Sequence, residues 1–344
     1  MKKLSIILPV YNVEPYIRAC MKSIFHQGLD DNCFELIIVN DGSTDNSMGT
    51  ISDLVKQHNN ITIIHQENQG LSNARNNGIA LAKGKYILMP DPDDLLIKNS
   101  LKPLLEKALE SEADLVVADF LVMTNNDIKN IQDIPQKDFS IKEKTGEQLF
   151  LEDHSPYECF VWRTLYKKDF LMTNNICFIP KIRFQDIPYT YECYLKAKKC
   201  LRVSCLLYIY RQWPGASTAT FPVERAQDFS IALAKVWELK SLQLTPAIRE
   251  KLQENMFVHF SVMSCNICHS IREESDRLFA IDFLKKKAPT LAFQNGVKQK
   301  LVTFLYRYMP HTYIRLRYLY GVIIEDRLLP YYHHTLRKTK FTKR

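Results

Sequence analysis

The densest chemistry in the chain lies in "LMPDPDDLL" (88–96), where Asp91, Asp93 and Asp94 put three carboxylates in four positions behind the apolar run "KYILM". Like charges at this spacing repel one another, so the turn needs a counter-charge. Hard divalent cations such as Mg²⁺ or Mn²⁺ prefer oxygen ligands and take one or two carboxylates from a protein, with water and phosphate oxygens completing the shell. Asp91 and Asp93 are two apart at a strand end, and Pro92 stiffens the turn between them so that both can face one cleft. A metal bound to a diphosphate would supply the missing charge. The alternative is an Asp/Pro-rich turn that ends one strand and starts the helix "LLIKNSLKPLLEKALE", with Asp94 as its N-cap.

Two further polar clusters stand beside this one. In "NDGSTDNS" (40–47), Gly42 permits a tight turn and Asp41 sits at a strand end, placed to accept a hydrogen bond from a base N–H or a ribose hydroxyl. Capping by Ser43 or Thr44 accounts for part of the same pattern. In "ENQGLSNARNNG" (67–78), Arg75 lies near a helix start, where a guanidinium can meet phosphate. An exposed helix face explains it as well.

The elements that would position these clusters follow from hydrophobic period. Strands are predicted at 4–10, 34–40, 61–66, 86–90 and 113–120, separated by segments of helical length such as "GLSNARNNGIALAKG", with Gly84 as its C-cap. Alternation of this kind predicts an α/β fold with a mainly parallel sheet and helices on both faces. Ligands of such sheets bind at the carboxyl ends of strands, near a reversal of strand order. Three of the predicted strands end there in polar clusters: "PVYN" (9–12), "VNDGSTDNS" (39–47) and "PDPDD" (90–94). Beyond 120 the pattern predicts helices over 160–175 and 185–199 and an apolar strand at 200–212 that extends the first domain. From about 223 to 290 the chain reads as helical.

Composition sets wider limits. With 344 residues, 46% of them hydrophobic, the chain can form one large domain with an appendage, or two domains. The N-terminal "MKKLSIILPVYN" has too short an apolar run for a signal peptide and reads as a buried strand. No stretch approaches the ~20 apolar residues that span a bilayer. Nine cysteines follow no framework pattern and leave one over if paired, which points to reduced thiols and a cytoplasmic location. "CNICH" (265–269) fits a haem-attachment pattern, but it falls in an apolar helical stretch and reads better as a buried thiol pair.

Taken in order, "LSIILPVYNVEPYIRACMKSI", "ELIIVNDGSTDNS" and "ENQGLSNARNNGIALAKGKYILMPDPDD" resemble family 2 glycosyltransferases of the GT-A fold, the inverting nucleotide-sugar enzymes of bacterial capsular and cell-surface polysaccharide synthesis. The match is close over the first hundred residues and weaker through "VWRTLYKKDFL", "FQDIPYTYECYLKA" and "YRQWPGAST". The resemblance implies a GT-A catalytic domain over 1–220 followed by a smaller helical region over 221–344. It implies that Pro9, Tyr11 and Asp41 hold uracil and ribose, and that Asp91 and Asp93 form the DxD motif, with Asp93 on a Mn²⁺ or Mg²⁺ ion and Asp91 on ribose or metal. Asp186 matches the general base. The family's Glu-Asp pair reads here as Gln185-Asp186, so its first acid is missing. Arg75 and Arg211 are placed at the donor phosphates, Arg211 in a segment that closes over the diphosphate, with Trp213 where a basic residue is common.

The implied reaction moves a sugar from a nucleotide-sugar, by resemblance a UDP-sugar, to a hydroxyl of a lipid-linked or growing polysaccharide acceptor, in one inverting displacement. A sugar-phosphate nucleotidyltransferase would show a glycine- and lysine-bearing loop after the first strand, and "PVYNVEPYI" has neither residue. The remaining alternative is a catalytically weak nucleotide-sugar-binding subunit of an assembly complex, for which Gln185 is the support.

Net charge is +8, and its placement carries the information. From Lys298 onward there are eleven basic residues against Glu325 and Asp326, so this tail carries +9 and the remainder −1. Residues 301–344 interleave Tyr, Leu and Ile with Arg and Lys, a composition suited to interfacial helices on anionic lipid. A helix packed on the catalytic domain with its basic face solvated is the competing account, and His333-His334 reads as solvated. Nucleic acid is not the expected partner, since no binding architecture accompanies the charge. The expected location is the inner face of the cell membrane, held peripherally.

Overall fold

The uninterrupted apolar runs at 4–10 and 34–40 become β1 (Leu4–Val10) and β2 (Phe34–Asn40), each buried along its whole length. Such strands belong in the middle of a sheet covered on both faces. In the computed structural model, which describes residues 2–129, 134, 139–213 and 221–324, they are joined by β3 (Ile61–His65), β4 (Tyr86–Leu88), β5 (Leu95–Leu96), β6 (Leu115–Thr124), β7 (Ile141–Lys144), β8 (Thr164–Lys167) and β9 (Cys200–Gln212). The helices among these strands are α1 (Glu14–Phe25), α2 (Ser47–Thr50), α3 (Ser52–Gln57), α4 (Leu71–Leu81), α5 (Leu101–Ser111), α6 (Asn125–Lys129), α7 (Gly146–Glu152), α8 (Lys168–Thr173) and α9 (Asp186–Lys196).

Strand order is β3-β2-β1-β4-β8-β6-β9-β5, with β7 on β9, in a mixed, mostly parallel sheet. β3, β2, β1 and β4 run parallel, β8 is antiparallel to β4 and β6, and β6 runs parallel to the long β9. The chain moves outward from β1 through β2 to β3, then returns to the other side of β1 at β4. In open α/β sheets such a reversal marks the ligand crevice, beyond the carboxyl ends of the strands, and here Tyr11, Asp41 and Asp91 follow the carboxyl ends of β1, β2 and β4. One face of β1 (Leu4, Ile6, Leu8, Val10) shares its core with Ile17, Met21 and Ile24 of α1 and Leu101, Leu104 and Leu105 of α5. The opposite face meets α4, where Gly78 lies so near Ile7 that a Cβ would stand 2.3 Å from its methyl.

Three local expectations are corrected. The segment 160–175 is not one helix: a 3-10 turn (Val161–Arg163) leads into β8 and then α8. Thr164, Leu165 and Tyr166 favour strand, and the gap between β4 and β6 supplies hydrogen-bonding partners that override the helical period. The helix after the acidic turn begins at Leu101 rather than at Leu95, because Leu95–Leu96 pairs with Ile209 and Tyr208 of β9 and Asn99 is left-handed at φ 59°. Asp94 is therefore not a helix N-cap. Gly84 is no C-cap either: α4 ends at Leu81, and Gly84 sits against β1, where a Cβ would meet the Ser5 nitrogen at 2.3 Å.

The described chain divides into two compact units. One holds Met1–Glu152, Phe160–Lys181 and Tyr189–Trp213; the other holds Asp153–Cys159, Ile182–Pro188 and the described part of Pro214–Arg344. The second unit is helical: α10 (Val223–Glu238), α11 (Pro246–Ser270), α12 (Glu274–Lys287), α13 (Gly296–Tyr308) and α14 (Pro310–Ile324). Thr245 caps α11 by accepting from the Ile248 amide, with Pro246 at the first position, where a missing N–H costs nothing. Leu233, Ile248, Met256, Phe260, Ile281 and Tyr306 are among its fully buried side chains. In α11 Cys268 is buried and its thiol donates to the Ile314 carbonyl, while Cys265 is partly exposed and 3.4 Å from His269 Nδ1. No described helix is long and apolar enough to cross a membrane.

His259 of α11 is 5% exposed, beside the Phe229 ring. Burial pushes its imidazole down to about 4, against about 6.5 in an unfolded chain. Above pH 6.5 neither state binds the proton; as pH falls toward 4, the unfolded state takes it up and the folded state does not. Stability of the second unit should therefore decline by roughly 2–3 kcal/mol over that window. Denaturant titrations at several pH values check this: His259→Gln should remove that part of the slope, and an unchanged slope would contradict it.

Candidate active site

The acidic turn after β4 is organised by four neighbours from the first unit. Arg75, presented by α4 with its side chain wholly buried, places a guanidinium nitrogen 2.6 Å from Asp91 Oδ1. Phe178 lies under that guanidinium at 5.2 Å and stacks at 3.9 Å on Tyr189. Asn76, one residue on, holds Phe178 by both its amide and its carbonyl. The Tyr208 hydroxyl of β9 accepts from the Asp91 amide (2.9 Å) and donates to Asp94 Oδ2 (2.8 Å), bridging the first and third acids. Its ring stacks on Trp162 at 4.1 Å, and Trp162 on Phe160 at 4.8 Å. Arg211, three residues further along β9, donates its amide to Asp94 Oδ1 (2.6 Å), its Nε to the Asp93 carbonyl (2.6 Å) and a terminal nitrogen to Asn125 (2.8 Å). It lies over the Tyr16 ring, on which Trp213 also packs. The Trp213 indole then donates to Asp93 Oδ2 at 3.2 Å.

This arrangement answers the repulsion within the turn. Asp91 is balanced by a buried cation. Asp94 is 1% exposed, and burial, with Asp93 and Asp91 adding their repulsion, pushes its carboxyl up to about 9, against the Arg211 amide and Tyr208 hydroxyl that donate to it. Asp93 is only partly buried, and the Trp213 indole N–H donates to its Oδ2.

The neighbouring strand ends are interlocked in the same way. Asn12 is left-handed at φ 50°, which asparagine tolerates, and its side-chain oxygen accepts from the Thr44 amide at 2.8 Å. Val13 N donates to Ser47 and Glu14 N to Asp45. Asp41, 3% exposed, accepts from the Gln66 side chain and from the Gln69 and Gly70 amides, all within 2.9 Å. Gly42 adopts φ 73°, and a side chain there would collide with the Asn68 backbone at 2.9 Å. Pro9 is buried at the end of β1, while Tyr11 beyond it is 47% exposed, an open ring at the mouth of the crevice.

The structure thus brings Asp91, Asp93, Arg75 and Arg211 together, with Asp41 and Tyr11 on the adjoining strand ends. Two placements differ from the sequence reading. Arg75 is not on an exposed face, and both guanidinium groups assigned to the diphosphate are already paired inside the protein, against Asp91 and against the Asp93 carbonyl. Tyr208, Tyr16 and Asn125 escaped notice, since nothing in "CLLYIYRQ" separates a bridging tyrosine from a packing one.

Asp186 belongs to the second unit, in the first turn of α9 and partly buried. The residues leading into it are fixed by that unit's own contacts. Phe184 adopts φ 59° and stacks on Phe229 of α10 at 4.6 Å, and the Arg183 amide donates to Asp228. A bulky residue in the left-handed region is strained and persists only where its surroundings enforce it. Burial raises the Cys159 thiol well above its usual range, and the Asp186 carboxylate adds to that rise. Gln185 is 4% exposed.

Comparison with known proteins decides the family. The family model described as Glycosyl transferase family 2 matches residues 5–171. The uncharacterized glycosyltransferase EpsJ of Bacillus subtilis is 32% identical over 86% of this chain and 85% of its own length. The chain belongs to glycosyl transferase family 2. A crystal structure of S. aureus TarS 1-349 in complex with UDP-GlcNAc superposes with a TM-score of 0.73 at 22% identity, covering 92% of this chain and 91% of that one. The mannosyltransferase PcManGT from Pyrobaculum calidifontis, in complex with GDP-Man and Mn²⁺, gives a TM-score of 0.56 at 14% identity over 93% and 87%. These likenesses establish a GT-A fold for this glycosyltransferase.

Among the described residues no three His, Cys, Asp or Glu side chains gather as a metal-ligand set. The acidic turn therefore offers a cation the carboxylates of Asp93 and Asp91, with Asp94 buried behind them. Two hard oxygen donors fit Mg²⁺ or Mn²⁺ completed by diphosphate oxygens and water, and do not fit an all-protein cage.

Replacing Arg75 with Met leaves the Asp91 carboxylate without its buried cation, and should cost about 3 kcal/mol of stability. Tyr208→Phe should cost roughly 1–2 kcal/mol, since the Asp91 amide and the Asp94 carboxyl lose a shared partner. Denaturant titration reads both, and loss of less than ~1 kcal/mol for Arg75→Met would show that the pair does not hold the turn.

Proposed function

We propose that this glycosyltransferase moves a sugar from a UDP-sugar to a hydroxyl of a lipid-linked or growing polysaccharide acceptor, in a single inverting displacement. The observation that carries the reading is the geometry of the acidic turn: Arg75 pairs with Asp91 at 2.6 Å, Asp94 is buried behind them, and the Asp91 and Asp93 carboxylates both remain partly exposed. Asp93 and Asp91 would hold a divalent cation, Mn²⁺ or Mg²⁺, which when bound would supply Lewis-acid stabilisation of the leaving diphosphate. Tyr11 offers an open ring to the base, and Asp41 fixes the loop 66–70 that borders the pocket, with Pro9 setting the strand end beneath. Arg75 orients Asp91, and Arg211 orients Asp93 through its carbonyl. Uridine as the base is supported by the UDP-GlcNAc held by TarS.

In this reading Asp186 is the general base. An acceptor hydroxyl is a weak nucleophile and loses its proton as it attacks the anomeric carbon; a carboxylate within hydrogen-bonding reach takes that proton, a contribution of about 10²–10⁴-fold. In-line attack opposite the leaving diphosphate inverts the anomeric centre. The catalytic domain spans 1–220 and the helical region 221–344 supports the acceptor, with the whole chain peripheral on the inner face of the cell membrane. Residues 325–344 of the basic tail, including His333 and His334, and 214–220 of the "WPGAST" segment lie outside the described residues.

The test is release of nucleoside diphosphate from UDP-, GDP- and dTDP-sugars, in Mn²⁺, Mg²⁺ or EDTA, with membrane extract as acceptor source. Turnover of one UDP-sugar should require metal, and Asp186→Asn should lower it by about 10²–10⁴-fold with donor binding retained. Tight UDP binding with no turnover under any condition would instead favour a donor-binding subunit, the role that Gln185 in place of an acid would suit.

A further inference from the structure

Helix α13 presents its apolar side to solvent. Val297, Leu301, Phe304 and Tyr308 are 84%, 54%, 50% and 70% exposed. Their spacing of four, three and four residues places all four in one narrow stripe along the helix. Tyr306, on the opposite side, is 1% exposed and donates its hydroxyl to the Leu291 carbonyl, so the helix is seated by that face and the stripe points away from the core of its unit. A helix that only packs on a soluble core shows the reverse pattern, with charge outward.

The residues beside the stripe are cationic. Lys300 and Arg307 lie on one flank and Lys298 on the other, and Arg307 also donates to the Pro289 carbonyl. From Gly296 to Ile324 the sequence holds five basic residues (Lys298, Lys300, Arg307, Arg315, Arg317) and no acidic one. Lys300 and Arg307 also border an open groove of about 490 Å³ next to Phe304 and Tyr308, with room and charge for a phosphate-bearing headgroup.

We propose that the Val297–Tyr308 stripe of α13 is a docking face for an anionic lipid surface, into which Leu301, Phe304 and Tyr308 insert while Lys298, Lys300 and Arg307 meet headgroup phosphates. The charge selects this occupant. Residues 325–344 carry six basic and two acidic side chains, so they would meet the flanks of α13 with like charge, and a second copy of α13 would do the same. An anionic bilayer supplies both halves of the requirement, an apolar layer under a plane of negative charge. The inference rests on the reading that the acceptor is lipid-linked, and it assigns the surface that brings the enzyme to it.

Co-sedimentation of the full chain with vesicles of phosphatidylcholine alone, and of phosphatidylcholine mixed with phosphatidylglycerol, tests it. Binding should require phosphatidylglycerol and weaken with salt. Leu301→Glu with Phe304→Glu should reduce it at least about tenfold, and Lys298→Glu with Lys300→Glu should reduce it similarly, while donor hydrolysis without acceptor stays at the wild-type rate in both. Absence of vesicle binding by the wild type, unchanged binding by both variants, or a concentration-dependent dimer that Leu301→Glu dissolves would overturn the proposal. Donor hydrolysis is read in the same preparations, so failure of docking and failure of the transferase reading appear as different results.

Discussion

Everything at this site follows from the cost of placing three carboxylates in four consecutive positions at the edge of a core. Like charges so close in the chain repel one another, and the structure handles two of them by different means. Asp91 meets a buried guanidinium, whose own desolvation is tolerable because Phe178 lies beneath it and a carboxylate lies at 2.6 Å. Asp94 is taken out of water and held between a tyrosine hydroxyl and a main-chain amide, and burial raises its carboxyl to about 9. Asp93 is left between them, anchored through its carbonyl by Arg211, with its carboxylate partly exposed and accepting from the Trp213 indole. Two partly exposed carboxylates held in fixed positions, Asp91 and Asp93, are what a cation completed by diphosphate oxygens would use.

The same constraint explains why β9 is long and why β5 exists. Tyr208 and Arg211 must arrive together behind the acidic turn, and the two-residue ladder of Leu95–Leu96 on Ile209 and Tyr208 sets their register. A shift of one residue would turn Tyr208 to the other face and leave the Asp91 amide and Asp94 without their shared hydroxyl. The aromatic layer of Phe160, Trp162 and Tyr208 gives that strand a rigid backing. The sheet's second, mixed half thus positions the chemistry, while its parallel half shapes the crevice.

Much of this was legible in the sequence because the signals were local. The strands at 4–10, 34–40 and 200–212 are continuous apolar runs bounded by polar clusters, and they stand in the structure with those limits. The carboxyl-end clusters marked the crevice for the same reason. What stayed hidden depends on partners remote in the chain. Thr164–Lys167 is a strand only because β4 and β6 leave a gap for it, and Asp94 looks like a helix cap until β9 captures Leu95–Leu96. Arg75 sits among Asn and Ser residues, so its polar setting suggested exposure; its burial is decided by Asp91, sixteen residues away, and by Phe178, more than a hundred away. The exposed stripe of α13 is likewise invisible until one knows which side of the helix Tyr306 occupies.

The central claim is that the Asp93 carboxylate, with Asp91 beside it, recognises a metal-bound diphosphate. Calorimetric titration of UDP with and without Mn²⁺, for the wild type and for Asp93→Asn, tests it most directly. The account predicts that Mn²⁺ strengthens UDP binding by at least about tenfold in the wild type and has no such effect in the folded variant. Equal strengthening in both proteins would contradict it.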